Sequence, residues 1–180
     1  MPTTAPKQRR PAPPLDREKL ERLALRYVER FATTRGRLVD YLRGKIGQRG
    51  WDGEPADPEA LAERLAGLGY IDDRAFAEAR ATAMARRGLG ARRVQDALRQ
   101  ARVGAEDTEA LAPDIAERGP EAALAFARRK RFGPFATARA DRDLMAKQLA
   151  AMARAGHGYE LSRRILELPP GTEIDPEELI

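Results

Sequence analysis

The sequence predicts an all-α fold: an elongated array of three tandem three-helix repeats with disordered N- and C-terminal tails. Three observations lead there. Apolar residues recur three and four positions apart in one segment after another and never alternate over a useful length. The segments carry helix punctuation, with Asp57-Pro58-Glu59, Asp72-Asp73 and Gly119-Pro120-Glu121 at starts and Gly50, Gly88, Gly133-Pro134 and Gly156 at ends. Comparable helix ends also return along the chain. Leu42, Ile46, Gly50 and Trp51 match Val94, Leu98, Arg102 and Val103, and more loosely Met152, Gly156 and His157. That spacing, roughly fifty residues, suits a helical repeat array in which each unit buries part of its apolar stripe on its neighbour.

The elements follow in order. Residues 1–14 hold five of the thirteen prolines, with Lys7, Arg9 and Arg10 and no acid, and read as a disordered basic arm. The first repeat, residues 15–69, has stripes at Leu20, Leu23, Tyr27, Val28 and Phe31, at Leu38, Leu42 and Ile46, and at Leu61, Leu65 and Leu68. The second, residues 70–118, opens with a helix from about Asp73 to Arg87, its start favoured by Asp72 or Asp73 at the positive end of the helix dipole. Phe76, Ala79 and Ala83 recur along it, and Gly88 supplies a left-handed stop. A helix bearing Val94, Ala97, Leu98 and Ala101 follows. Then comes a shorter element with Leu111 and Ile115, which Pro113 kinks or splits. The third repeat, residues 119–169, carries Leu124 and Ala127, then Leu144, Leu149 and Met152, then Leu161, Ile165 and Leu168. Pro169-Pro170-Gly171 ends the pattern. Residues 170–180, with Glu173, Asp175, Glu177 and Glu178 and no base, read as an acidic tail. Tyr70, Phe76 and Trp51 are expected in the core, Trp51 between repeat units, while Phe132 and Phe135 close a turn onto it.

Composition narrows the function classes. Hydrophobic residues make up 42% of the chain and aromatics 6%, which suits slender helices with thin stripes rather than one thick core. Lys and Arg number 33 against 28 for Asp and Glu, a net charge of +5 that permits nucleic acid or an acidic partner. The absence of cysteine excludes disulfides and thiol chemistry and fits a reducing cytoplasm. No apolar run approaches the ~20 residues of a membrane span.

Catalytic constellations are missing too. The one histidine, His157, and the one serine, Ser162, lie five apart and off a common helical face, so they do not form a triad. His157 has no cysteine or histidine company for zinc and reads as a helix-junction residue. Gly44-Lys45 lacks the rest of a phosphate loop, and Gly88-Leu89-Gly90 lacks the third glycine of a dinucleotide fingerprint. Asp72 and Asp73 could ligate a metal, but a capping role needs only one of them and no further ligands. The chain is therefore read as a non-enzyme that takes no cofactor.

Two basic clusters remain. Arg86, Arg87, Arg92 and Arg93 flank a glycine turn, and Arg128, Arg129, Lys130 and Arg131 form the longest uninterrupted basic run. One reading is a solvated surface in which cations in last helical turns offset the dipole, at roughly 0.3–1 kcal/mol each. The other is contact with phosphates or with acidic patches on a protein, which the planar guanidinium grips with two hydrogen bonds.

Three motifs, in this order, resemble the bacterial RecX family of regulatory proteins. They are Gly69-Tyr70-Ile71-Asp72-Asp73 with Phe76-Ala77; Arg86-Arg87-Gly88-Leu89-Gly90 followed by Arg92, Arg93, Val94 and Leu98; and Arg128-Arg129-Lys130-Arg131-Phe132-Gly133-Pro134. Ala155-Gly156 and Tyr159-Glu160 continue the pattern, and the likeness covers about residues 20–168. The resemblance implies a monomeric regulator of DNA repair and the SOS response that lies along the groove of a RecA–DNA filament. There it would restrain RecA ATP hydrolysis, strand exchange and coprotease activity, with the two basic clusters as contacts to RecA or DNA. Two positions depart from the family pattern. Arg102 stands where glycine is usual, which predicts a longer helix. His157 stands where an aromatic is favoured, which predicts weaker packing in the third repeat. The competing function is a free-standing helix–turn–helix DNA-binding protein with Arg92 and Arg93 opening a recognition helix. The lack of asparagine, and charge spread over two repeats, weigh against it.

Overall fold

The computed structural model describes residues 13–179, so all but the last two residues of the basic arm read at 1–14 lie outside the described residues. Among the described residues the regular backbone is helical, with one isolated parallel bridge between Leu15 and Trp51. The chain divides between Asp72 and Asp73 into two compact units.

Unit 1 contains α1 (Arg17–Arg30), α2 (Arg35–Arg49) and α3 (Pro58–Gly67). Each starts on a side-chain cap. Asp16 accepts from the Lys19 N–H at 2.8 Å, Thr34 from Arg37 at 3.2 Å and Asp57 from Ala60 at 2.9 Å, each satisfying a backbone donor that the first turn leaves free. Leu20, Leu38, Leu42, Leu61 and Leu65 form the core expected from the stripes, joined by Ala24, Ala62 and Ile71. Leu15, at the edge of the expected arm, is fully buried there, worth about 1.5–3 kcal/mol. It is fixed by its N–H to the Gly50 carbonyl (3.0 Å) and its carbonyl to the Asp52 N–H (2.8 Å). Trp51 packs against this same core. Tyr70 corrects the sequence reading: it is half exposed, in the turn that ends α3, not in the core.

Unit 2 contains α4 (Asp73–Arg86), α5 (Ala91–Gln100), α6 (Ala105–Ala110), α7 (Ala112–Glu117), α8 (Gly119–Lys130), α9 (Arg142–Arg154) and α10 (Tyr159–Glu167). Pro113 splits α6 from α7, because proline fits the first turn of a helix but not its interior. Two apolar clusters hold the unit. One gathers Ala77, Ala81, Val94, Leu98, Leu111 and Ile115, with Phe76 half-buried against it. The other gathers Ala123, Leu124, Phe126, Met152, Ile165 and Leu166, with Phe132 and Phe135 against it.

Two further expectations are corrected here. α5 does not run longer at Arg102. It ends at Gln100, and Arg102 itself takes the left-handed conformation (φ 57°) that Gly50 (81°) and Gly156 (94°) take after their helices. The acidic segment after Leu168 is not a disordered tail as far as Leu179. It folds back on α8 and forms a short 3₁₀ turn at Pro176–Leu179, because Leu179 finds apolar cover in the second cluster.

Candidate functional site

The two basic clusters singled out in the sequence meet at the ends of packed helices in unit 2. α4 finishes at Arg86, and α8 packs against it and finishes at Lys130. Arg129 crosses between them, donating from a guanidinium N–H to the Arg87 carbonyl at 2.5 Å. Arg129 also lies over the Phe126 ring at 5.4 Å and Arg128 over Phe135 at 4.9 Å, so aromatic faces orient both guanidiniums. Arg131 takes a left-handed conformation (φ 57°) at the cap of α8, which turns the chain out of the helix.

The glycine turn between α4 and α5 is held from the other side by the α9–α10 junction. The Gly90 N–H donates to the Ala155 carbonyl at 2.9 Å and the Arg92 N–H to the Gly156 carbonyl at 3.3 Å. A Cβ on Gly90 would lie 2.4 Å from the Gly156 backbone, and one on Gly88 would lie 2.8 Å from the Phe126 nitrogen. Glycine is required at both positions so that two backbones can touch. His157 completes the joint. Its Nε2–H donates to the Gly88 carbonyl at 3.1 Å, and its ring sits 5.7 Å from that of Phe126. Burial depresses the His157 pKa and the bond to Gly88 partly opposes that, so the ring is neutral. It is buried, and the weaker packing expected of a non-aromatic residue here is not seen.

This docking gathers Arg92, Arg93 and Arg154 around a depression of about 410 Å³ that Asp96, paired with Arg99, also lines. Arg154, in the last turn of α9, was not singled out from the sequence. Its signal was its place just before Ala155-Gly156, but only the fold brings it to α5. All the cations of this ridge are exposed. Among the described residues none of them has a carboxylate within ion-pair distance, whereas Arg74, Arg99 and Arg163 of the same unit pair with Glu78, Asp96 and Glu167. Unneutralised guanidiniums held by backbone docking suit an extended anion such as a phosphodiester chain or a row of carboxylates.

The remaining candidates carry no comparable chemistry. A cavity of about 610 Å³ in unit 1 is lined by five acids, Asp16, Glu21, Asp52, Glu54 and Asp57, against two arginines, Arg17 and Arg64, both paired with Glu21, so its balance is acidic. The Ser162 hydroxyl donates to the Gly158 carbonyl at 2.7 Å, while His157 serves Gly88, so the two do not meet. No group of three or more metal-ligating side chains occurs among the described residues, and Asp73 lies buried in the first turn of α4. No described helix is long and apolar enough to cross a membrane.

No profile of a known protein family matches the chain. It is similar to Regulatory protein RecX of Myxococcus xanthus (strain DK1622), at 32% identity over 160 residues, 84% of this chain and 86% of that protein. It is also similar to Regulatory protein RecX of Agrobacterium fabrum (strain C58 / ATCC 33970), at 28% identity over 149 residues, 81% of this chain and 80% of that protein. Identity at this level over most of both chains means that the chain belongs to the RecX family of regulatory proteins.

Proposed function

We propose that this protein regulates the RecA recombinase by binding along the RecA–DNA filament, with the arginine ridge of unit 2 as its contact surface. The observation that carries the reading is the ridge itself. Residues from the sequence motifs project without acidic partners among the described residues, Arg86, Arg87, Arg92 and Arg93 around a clamped glycine turn and Arg128 to Arg131 from the end of α8 beside it. A RecA–DNA filament offers what such a ridge binds, phosphates and repeated acidic side chains at fixed spacing. Binding one state of the filament more tightly than another would shift its equilibrium, which restrains ATP hydrolysis, strand exchange and coprotease activity without any chemistry by this chain. The chain acts as a cytoplasmic monomer, not as an enzyme. Its helices form three tandem three-helix repeats, residues 15–69, 70–118 and 119–169, which spread the contact over several filament subunits.

The start of α5 also weighs against a free-standing helix–turn–helix reader, because the Gly90 and Arg92 N–H groups are bonded to Ala155 and Gly156 and not open to a groove. The test is RecA ATPase on single-stranded DNA with this protein titrated in. A saturable fall is expected. No effect on ATPase, strand exchange or repressor cleavage at saturating protein would sink the reading.

A further inference from the structure

The cavity of about 610 Å³ in unit 1 lies between the start of α1, the loop 51–57 and α3. Its floor is apolar, with Leu20 and Leu61 buried and Trp51 and Pro55 beside them. Trp51 is fixed by its indole N–H, which donates to the Glu54 carbonyl at 2.5 Å. Three of the acids around it are engaged: Asp16 pairs with Lys19 at 2.6 Å, Asp57 caps α3, and Glu21 is shared by Arg17 and Arg64. Asp52 and Glu54 are exposed, and among the described residues neither has a cation within ion-pair distance. The chain outside the described residues joins unit 1 beside this cavity. Arg49 donates twice to the Pro13 carbonyl, at 2.8 and 3.2 Å, and Leu15 pairs with the backbone of Gly50 and Asp52. Asp16 lines the cavity, so Pro13 lies at most about 11 Å from the lining. Residues 1–12 carry Lys7, Arg9 and Arg10, three prolines and no acid.

We propose that this cavity is the docking site of the chain's own residues 1–12, with Lys7, Arg9 and Arg10 set against Asp52 and Glu54 and the prolines against Trp51. Charge selects the occupant, because two unpaired carboxylates face a segment of three cations and no acid, and a guanidinium grips a carboxylate with two hydrogen bonds. Shape agrees. Proline-rich segments dock on aromatic-lined grooves, and their extended form is preset, so ordering them costs little. Reach is sufficient. The parallel pairing of Leu15 with Trp51 carries the preceding chain toward the end of α2, so the arm must turn back once. Lys7 stands six residues before Pro13, a span of about 20 Å when extended. The tether sets an effective concentration of order millimolar, so weak contacts suffice and the arm of a second copy cannot compete in dilute protein. Docking joins α1, the loop 51–57 and α3 through one occupant.

The chain has no cysteine and one tryptophan, Trp51, so a single label reads the contact. The experiment uses the full chain with Gln8→Cys carrying a bimane dye, which an indole quenches on contact. At about 20 mM salt its emission is expected at least about twofold below that of the labelled Q8C/W51F chain, and about 1 M salt, with a Debye length of about 3 Å, should remove most of the difference. In the same labelled background, D52N/E54Q and K7E/R9E/R10E should each abolish the quenching, and D52K/E54K combined with K7E/R9E/R10E should restore it, with helicity checked for each. Equal emission with and without Trp51 overturns the proposal. So does quenching that persists in folded D52N/E54Q, or a folded charge-swapped chain that stays unquenched. Quenching that grows with protein concentration would put a second copy's arm in the cavity and overturn it as well. If the cavity variants fail to fold, K7E/R9E/R10E and the salt dependence decide, and quenching unchanged by both ends the proposal.

Discussion

Five arginines of unit 1 and those of the ridge in unit 2 have different surroundings. In unit 1, Arg17 and Arg64 meet Glu21 at 3.4 and 2.8 Å, Arg22 meets Glu18 at 2.5 Å, Arg35 meets Glu63 at 3.1 Å, and Arg43 pairs with Glu59. On the ridge of unit 2 the cations have no such partners among the described residues. A net charge of +5 says nothing of this partition. Exposed ion pairs are worth about 0–1 kcal/mol, so those of unit 1 add little stability, yet each must be broken before its arginine can serve another anion. Ridge arginines need only shed water and counterions. Basic content alone does not separate the two sets; the partition of cations between paired and unpaired does.

The largest expected effect breaks the ridge through its backbone. Gly90→Ala should cost about 3 kcal/mol in unit 2, because the new Cβ meets Gly156 backbone at 2.4 Å and neither chain can yield. Gly44→Ala, on α2 with nothing within 4 Å of the added Cβ, should instead stabilise unit 1 by roughly 0.5–1 kcal/mol. Chemical denaturation of the two variants checks the contrast. Equal small effects would mean that the glycine turn is not clamped.

The joint should also respond to pH. The native His157 pKa is depressed by burial, with the Gly88 bond partly opposing, so the native state binds its proton less readily than the unfolded chain. The stability this confers is fully present above the unfolded value near 6.5 and is lost as pH falls from there through the native value. His157→Phe should flatten that dependence and lower stability at pH 7 by about 1 kcal/mol for the lost bond to Gly88. Thermal melts between pH 5 and 8 give the readout, and an unchanged pH profile in the variant would show that His157 does not carry it. Unit 1 lacks a histidine, so the effect belongs to unit 2 alone.

Smallest is the expected gain from Arg102→Gly. Relief of a left-handed arginine at φ 57° should stabilise unit 2 by up to about 1 kcal/mol, offset in part by the freer unfolded chain. Denaturant midpoints test it, and a loss of stability would mean that the Arg102 side chain outweighs the backbone strain.

How far these features could be read from sequence depends on the range of the interaction. Apolar stripes, the Asp57-Pro58 start and the split at Pro113 are local, set within one or two turns, and the helices follow them. Tyr70 misled because an aromatic beside an apolar stripe lies three residues past the end of the helix that the stripe belongs to. Arg102 misled because helix termination is decided by the chain that follows as much as by the residue at the stop. The arginines themselves were legible, but their freedom from carboxylates was not, nor was the arrival of Arg154 beside Arg92, since both depend on how α4, α5, α8 and α9 pack. The fold of Pro169–Leu179 was hidden for the same reason, its one strong signal being a lone leucine among four acids.

The central claim, that unneutralised cations of unit 2 rather than basic charge in general engage the filament, is tested by removing four positive charges from each unit in turn. Binding of full-length chain to a RecA–single-stranded DNA filament is measured against salt for wild type, for R86A/R87A/R92A/R93A and for R17A/R22A/R43A/R64A, with helicity checked for each. The account predicts that the unit 2 variant loses most of its affinity and that its salt slope falls by up to about 3, at roughly 0.7 per phosphate contact on single strands, while the unit 1 variant stays within a few-fold of wild type. Equal losses from the two folded variants, or full binding by the unit 2 variant, would contradict it.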